Sequence, residues 1–193
     1  MTSYHDSALL HCISEKYKHD YPVIGELFLE ELSPLQRILL SADGTLTKML
    51  EVYLDEKIGI IKLDEQVIPA PKNIEPLDIK NGNEIIKRTI LLQGKKSKQN
   101  WLYADSIIAL ERMEQRFREQ LLNSHTPIGK LWLEHKIETF KEIISAQREP
   151  AEELGNYFHI SKKDNLLSRT YIVFCRYQPV MMITEKFPEC YFK

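Results

Sequence analysis

Two charged residues lie within apolar, strand-like segments far apart in the chain: Arg88 in IIKRTILL and Glu185 in PVMMITEKFP. Side chains of an extended strand alternate between its two faces, so Arg88 shares a face with Ile86 and Ile90, and Glu185 shares one with Ile183. Both charges are therefore predicted to point inward. A buried charge is costly unless it is paired or hydrogen-bonded. Three interpretations follow: a sheet edge or wet face, a mutual ion pair, or two charges that flank a polar ligand in an apolar cavity.

A third segment, TPIG at residues 126–129, lies between these two strands in the sequence. With the arginine strand at residues 87–92 before it and TEKFP at 184–188 after it, the chain resembles the chorismate pyruvate-lyases (chorismate lyases). Members of that family carry an arginine strand, then a T-P-[LI]-G turn, then a closing strand that ends T-E-x-F-P. The resemblance extends from residues 43–48 to near the C-terminus. It is greatest to the cyanobacterial and plastid branch.

The resemblance implies an activity and a set of site residues. Chorismate lyases convert chorismate to 4-hydroxybenzoate and pyruvate without a metal or an organic cofactor. Arg88 matches the arginine that holds the ring carboxylate, a task that suits a planar guanidinium. Glu185 matches the glutamate near the hydroxyl that survives in the product. It would either accept a hydrogen bond from that hydroxyl or assist removal of the ring proton. Arg88 and Glu185 are thus the expected catalytic residues.

Two apolar residues complete the expected substrate-binding set with Arg88 and Glu185. Leu46 and Ile128 match positions at which the family contacts the ligand through the backbone. Each is equally expected as an ordinary core residue, because apolar helix positions usually face the core. In organisms of this branch the product would supply a quinone head group, such as that of plastoquinone.

The chain departs from the family pattern on one strand. The better-known bacterial members have Gly-Arg-Thr on the strand that follows the arginine strand, whereas this sequence has ADS at residues 104–106. A second basic contact to the substrate is therefore missing there. Arg169 or Arg176 could replace it only if the fold brings one of them to the site.

The composition is typical of a soluble globular protein. The 193 residues are 43% hydrophobic and 28% charged, with a formal net charge of -2. This length suits one domain, residues 1–193, with 1–20 as a loosely attached arm. Neither a signal-peptide pattern nor a run of about 18 apolar residues is present, so we expect a location in the cytoplasm, or in the plastid stroma if plastid-encoded, and no membrane partner. We also expect a monomer. The near-neutral charge gives no support for nucleic-acid binding.

Cysteine and histidine residues show no ligand pattern. The three cysteines are odd in number and lack C-x-x-C spacing, which argues against a disulfide framework and a zinc site. Cys175 is expected to be a small core residue rather than a nucleophile. His5, His11 and His19 are scattered through a polar stretch. We expect no metal and no cofactor.

Apolar periodicity predicts the elements that position these residues. Helices are predicted after Ser33-Pro34, after Thr45, and at 110–121, 130–134 and 150–158. Strands are predicted at 58–63, 85–93, 101–109, 137–144, 170–175 and 180–186, with a long loop at 69–82 and a hairpin turn at 176–179. Grouped strands and hairpins predict an α+β domain: an antiparallel sheet of about six strands with helices on one side, enclosing a ligand pocket.

A second class of function is compatible with the same fold. Some transcription regulators use it as an effector-sensing domain, which would bind a small aromatic acid without reaction. The sequence offers no helix-turn-helix reader and no basic recognition helix, which favours the lyase. The two hypotheses differ in outcome, because a lyase turns chorismate over and a sensor leaves it unchanged.

Overall fold

A six-stranded antiparallel sheet forms the centre of the protein. The computed structural model describes residues 31–123 and 126–193. The strands lie in the spatial order β1-β2-β3-β6-β5-β4. Their bounds are Ile58–Pro69 (β1), Glu84–Gly94 (β2), Asn100–Ala109 (β3), Phe140–Pro150 (β4), Asn165–Cys175 (β5) and Gln178–Pro188 (β6). The α-helices are Pro34–Ser41 (α1), Leu46–Leu54 (α2), Gln115–Asn123 (α3), Ile128–Glu134 (α4) and Gly155–Phe158 (α5). The predicted α+β class is confirmed.

Short 3₁₀ turns connect several of these elements, at Glu75–Leu77, Leu110–Arg112, Glu152–Leu154 and Glu189–Phe192. The described residues contain no helix with both the length and the apolar composition that crossing a membrane requires. The predicted N-terminal arm, with Cys12 and the three N-terminal histidines, lies outside the described residues.

The start of α1 shows how local sequence fixes a helix. The Ser33 side chain accepts a hydrogen bond from the Gln36 backbone N–H, and the Gln36 side chain accepts one from the Ser33 N–H, while Pro34 occupies the first turn. Ser33 also donates to the carbonyl of Phe192 at 2.6 Å, and Gln36 donates to that of Glu189 at 2.8 Å. The cap therefore anchors α1 to the C-terminal segment as well as starting it.

The two faces of the sheet are covered differently. Ile86 and Ile108 are fully buried on the face that packs against α1 to α4. Ile85 points to the opposite face, where a smaller apolar cluster contains Leu77 and Ile79 from the loop after β1. Burying each such side chain contributes about 1.5–3 kcal/mol, so the loop is a structural cover for the second face.

Several predicted elements differ from the structure. The helix predicted at 110–121 is interrupted, because Met113 is extended (φ -104°, ψ 141°) between a 3₁₀ turn and α3. The strand predicted at 137–144 begins three residues later and continues to Pro150, following its pairing with β5. The predicted helix at 150–158 is a 3₁₀ turn followed by the short helix α5.

The β5–β6 hairpin is closed by a two-residue turn, shorter than the predicted 176–179. Arg176 and Tyr177 both have positive φ, 49° and 64°. Such turns match the right-handed twist of the strands they join. The turn sets the register that places Glu185 opposite Arg169. A slip of one residue would move Glu185 to the other face of the sheet.

Replacing Tyr177 with glycine should stabilise the protein. Because the Tyr177 side chain is fully exposed, the main effect of this residue on stability is the cost of its left-handed backbone conformation. We expect Tyr177→Gly to raise the free energy of unfolding by about 0.5–1 kcal/mol, measured by urea denaturation. Tyr177→Ala is the matched control, since it removes the same ring but keeps the Cβ. Equal stabilities of the two variants would contradict the prediction.

Candidate active site

A small cavity of about 50 Å³ lies between the helical face of the sheet and the first residues of α2 and α4. Leu46, Arg88, Ile128 and Glu185 all line it, so the fold brings the four predicted site residues together. The other lining residues are Thr45, Thr47, Ile60, Ile90, Leu92, Leu102, Ala104, Ser106, Pro127, Gly129, Trp132, Lys141, Tyr171 and Ile183. The walls are thus mainly apolar, with a few charged groups.

Arg88 lines this cavity with a guanidinium whose donors are not all hydrogen-bonded. It lies on β2 opposite Ser106 and is 2% exposed. Its Nε is 3.1 Å from a Glu65 carboxylate oxygen, on the neighbouring strand β1. Nε and Nη2 nevertheless have no hydrogen-bond partner within 31–123 and 126–193. Burial lowers the pKa of Arg88 and the Glu65 charge opposes this. A buried cation with unused donors is a site for an anion.

Glu185 is held at another part of the cavity by different partners. Its Oε2 accepts a hydrogen bond from Arg169 Nε at 2.8 Å, and its Oε1 accepts one from the Tyr171 hydroxyl at 3.0 Å. Arg88 and Glu185 therefore do not neutralise each other, which excludes the mutual ion pair considered above. Both are buried, which also excludes the wet-face interpretation. A carboxylate has further acceptor positions beyond these two bonds.

Arg169 is a structural partner of Glu185 and does not line the cavity. Its Nη1 donates to the carbonyls of Leu39 and Ala42, both at 2.7 Å, at the C-terminal end of α1. The second arginine considered in its place, Arg176, is exposed and pairs with Glu114 at 2.7 Å. Neither arginine replaces the missing basic contact.

The sequence analysis missed Tyr171 and Lys141. Two cations lie near the Tyr171 ring, with Lys141 Nζ and Arg169 Cζ each 5.1 Å from its centroid. Burial raises the pKa of Tyr171 well above 10, so its hydroxyl stays a donor to Glu185. Lys141 Nζ also donates to the carbonyl of Gly44 at 2.7 Å. Lys141 shares a strand face with Ile143, so the alternation that identified Arg88 also marks Lys141.

The first residues of α2 and α4 meet over the cavity. Thr45 and Pro127, the residues that precede α2 and α4, form no side-chain cap. Backbone N–H groups at a helix start attract anions. Leu46 and Ile128 are the first residues of these helices, an arrangement compatible with their expected backbone contacts.

A larger and more open groove of about 1140 Å³ lies between α3, α4 and the β5–β6 hairpin. Its apolar residues include Phe117, Phe140 and Phe174, and Trp132 borders both the groove and the cavity. Its arginines, Arg112 and Arg176, already hold other partners. The small cavity is therefore the better candidate for chemistry. No cluster of three potential metal-binding side chains occurs among the described residues.

Gly129 permits the contact between α2 and α4. A Cβ at Gly129 would lie 2.5 Å from Thr45 Cγ2. We expect Gly129→Ala to lower the free energy of unfolding by about 1–3 kcal/mol, as overpacking does. Adding Thr45→Ser removes the Cγ2 methyl and should restore part of this loss, while Thr45→Ser alone serves as the control. Urea denaturation of the four proteins tests the coupling, and additive effects would contradict it.

Solved structures share this fold. The effector domain of PhnF from Mycobacterium smegmatis superposes with a TM-score of 0.59 at 8% identity, over 75% of this chain and 88% of that domain. Longer PhnF from the same organism gives a TM-score of 0.61 at 9% identity, over 77% of this chain and 65% of that chain. At such identities the likeness shows the fold alone.

Sequence relatives are more specific. The chain is 30% identical over 164 residues to a chorismate pyruvate-lyase of Mycobacterium leprae, covering 82% of this chain and 77% of that protein. It is 28% identical over 162 residues to a Mycobacterium tuberculosis chorismate pyruvate-lyase, covering 81% of each. These relatives are mycobacterial, and the cyanobacterial and plastid branch stays a prediction. The family model described as chorismate pyruvate-lyase Rv2949c-like matches residues 40–192. The chain therefore belongs to the Rv2949c-like chorismate pyruvate-lyase family.

Proposed function

We propose that this protein is a chorismate lyase, a carbon–oxygen lyase that converts chorismate to 4-hydroxybenzoate and pyruvate without a cofactor. One observation carries the proposal: a buried guanidinium with unused donors and a buried carboxylate line the same apolar cavity. The substrate has a ring carboxylate and, across the ring from it, a hydroxyl. Arg88 and Glu185 match these two groups in charge and hydrogen-bonding capacity.

Arg88 binds the ring carboxylate in this proposal. The Nη2 donor, which has no hydrogen-bond partner among the described residues, suits a carboxylate oxygen, whereas Nε faces the Glu65 carboxylate at 3.1 Å. The first N–H groups of α2 and α4, at Leu46 and Ile128, add donors to the same small region. Apolar side chains such as Ile90 and Ile183 surround the ring. A ligand carboxylate would satisfy donors that are costly to leave without partners.

Glu185 accepts a hydrogen bond from the ring hydroxyl and fixes the orientation of the substrate. Arg169 and Tyr171 hold its carboxylate from behind, so its position is set before the substrate binds. We favour this orienting role over proton removal by Glu185, because both oxygens already accept hydrogen bonds from the protein. A preorganised acceptor loses little entropy when the ligand arrives.

The reaction needs little more than correct geometry and exclusion of water. The bond between the ring carbon and the ether oxygen of the enolpyruvyl group breaks, and so does the carbon–hydrogen bond at the neighbouring ring carbon that bears the hydroxyl. The proton is taken up by the enolpyruvyl methylene, which becomes the methyl of pyruvate, and the ring becomes aromatic. Aromatisation supplies the driving force. Because the proton and the methylene that takes it up belong to the same molecule, the protein contributes by holding the substrate in a reactive conformation rather than by bringing two reactants together.

The first residues of α2 and α4, around Thr45 and Gly129, form the roof of the cavity. Substrate entry requires movement of this roof. The cavity is about 50 Å³, whereas benzene alone fits a cavity of about 150 Å³. The contact between Thr45 and Gly129 must therefore open for the ring to enter, and again for the product to leave. Product release through such a closed roof is expected to be slow relative to chemistry.

Turnover assays on point variants test the proposal. In metal-free buffer with chelator, wild-type protein should produce 4-hydroxybenzoate and pyruvate in equal amounts from chorismate. Arg88→Met and Glu185→Gln should each lower kcat/KM by about 100-fold or more, the loss of one charge-assisted contact plus misorientation.

Lys87→Met is the matched control, because Lys87 is the exposed neighbour of Arg88 on the opposite face of β2. It should leave turnover within about twofold of wild type, as surface changes usually do. Well-folded wild-type protein that yields neither product at high enzyme concentration would refute the lyase.

An effector-sensing domain is the second candidate function. The PhnF effector domain shares this fold, so the fold is compatible with that function. In that case the cavity would bind 4-hydroxybenzoate or a similar aromatic acid, and chorismate would stay unchanged. Binding without turnover by wild-type protein separates the two functions.

We further propose, from the family resemblance alone, that the product supplies a quinone head group such as that of plastoquinone. We propose that the protein is a single-domain monomer. Its proposed location is the cytoplasm, or the stroma if the gene is in a plastid. Isotope tracing from labelled 4-hydroxybenzoate into quinones and light scattering of the purified protein test these points.

A further inference from the structure

The proposed substrate carries two carboxylates, and Arg88 can satisfy only one of them. The inference that follows rests on the proposed lyase function. The second carboxylate belongs to the enolpyruvyl ether, on the ring carbon next to the one that bears the hydroxyl. If Glu185 binds the hydroxyl, the second carboxylate must lie near Glu185 rather than near Arg88. Burying that carboxylate without a cation would be costly.

Lys141 lies at the required end of the cavity. It lines the cavity from β4, and its Nζ sits 5.1 Å from the centroid of the Tyr171 ring. The hydroxyl of that same ring donates to Glu185 at 3.0 Å. The amine therefore lies on the Glu185 side. Burial lowers the pKa of Lys141 and the charge of Glu185 opposes this, which agrees with their proximity.

Lys141 has donors to spare. Its one hydrogen bond to the described residues is to the carbonyl of Gly44, at 2.7 Å. An ammonium group has three donors, so two are left for a ligand. The contact with Gly44 also directs the amine, because it ties the flexible side chain to the loop immediately before α2.

Other cations are unsuitable for this task. Among the described residues that line the cavity, Arg88 and Lys141 are the only cations. Arg169 does not line the cavity, and its Nε and Nη1 donate to Glu185 and to the end of α1. Arg176 is exposed and bound to Glu114. Two lining cations therefore face a substrate with two carboxylates.

We propose that Lys141 binds the enolpyruvyl carboxylate and forms a second carboxylate subsite beside Glu185. It fills the place of the basic contact that residues 104–106 do not supply. The subsite discriminates between substrate and product, because 4-hydroxybenzoate has no second carboxylate. Lys141 also fixes the enolpyruvyl group, whose methylene must come close to the proton that it takes up. The loss of pyruvate then leaves the amine free.

Comparing two ligands tests the subsite. Lys141→Met keeps the aliphatic stem over Tyr171 and removes the charge. Tryptophan fluorescence in a stopped-flow instrument reports cavity occupancy through Trp132 before turnover, giving Kd for chorismate and for 4-hydroxybenzoate. We expect the variant to weaken chorismate binding by about 10- to 100-fold, the value of a hydrogen bond to a charged group. Binding of 4-hydroxybenzoate should change by less than about threefold, within the effect of a neutral substitution.

Two controls isolate the charge. Lys141→Arg keeps the cation and should bind chorismate more tightly than Lys141→Met. Lys130→Met changes an exposed lysine on α4 that does not line the cavity, and should leave both Kd values unchanged.

The outcomes separate the subsite from the reaction. Equal weakening of both ligands by Lys141→Met, or no weakening of chorismate, would overturn the subsite and leave Lys141 as a structural anchor for Gly44. Weakening of chorismate binding alone supports the subsite, whether or not the wild-type protein releases pyruvate. Absence of pyruvate release would refute the lyase function but not the subsite.

Discussion

The buried ion pair between Arg169 and Glu185 is the interaction on which the rest of the site depends. Both residues face each other across β5 and β6, and Arg169 also binds the carbonyls of Leu39 and Ala42. A buried pair is stable only when its remaining donors and acceptors are satisfied. Here the bonds of Arg169 Nε and Nη1 tie the end of α1 to the middle of the sheet, while Nη2 has no hydrogen-bond partner among the described residues. Because α2 follows a few residues later, the pair also sets where the roof of the cavity begins.

The charges of the cavity are satisfied unequally. Glu185 accepts two hydrogen bonds from the protein, whereas the Arg88 guanidinium has unused donors beside Glu65. The first end is a fixed reference point for orientation. The second end gains free energy when an anion arrives, because its donors then acquire partners. A ligand with a carboxylate at one end and a hydroxyl at the other would thus be drawn in and oriented by different groups.

Local sequence rules were sufficient for some features and insufficient for others. Alternation in two apolar strands identified Arg88 and Glu185, and a serine before a proline located the start of α1. The partners of these charges depend on sheet order, which places β6 between β3 and β5. That order is set by long-range pairing and could not be taken from spacing. Tyr171 could not be identified for this reason, whereas Lys141 carries the same local alternation as Arg88. The helix break at Met113 could not be predicted either, because the local apolar pattern is helical although the Met113 backbone is extended.

The same groups that would bind a ligand also hold the roof closed. α2 starts at Leu46 without a side-chain cap, and the lysine that lines the cavity bonds to Gly44 just before it. The start of α2 and the Lys141 amine are therefore next to one another in the fold. A ligand carboxylate near either group would act as the missing cap and would stabilise the closed arrangement of α2 against α4. Opening would then require breaking ligand contacts as well as the packing of Thr45 on Gly129. If the proposed reaction removes the second carboxylate, one set of these contacts would be lost, and the roof over the product would be held less firmly than the roof over the substrate.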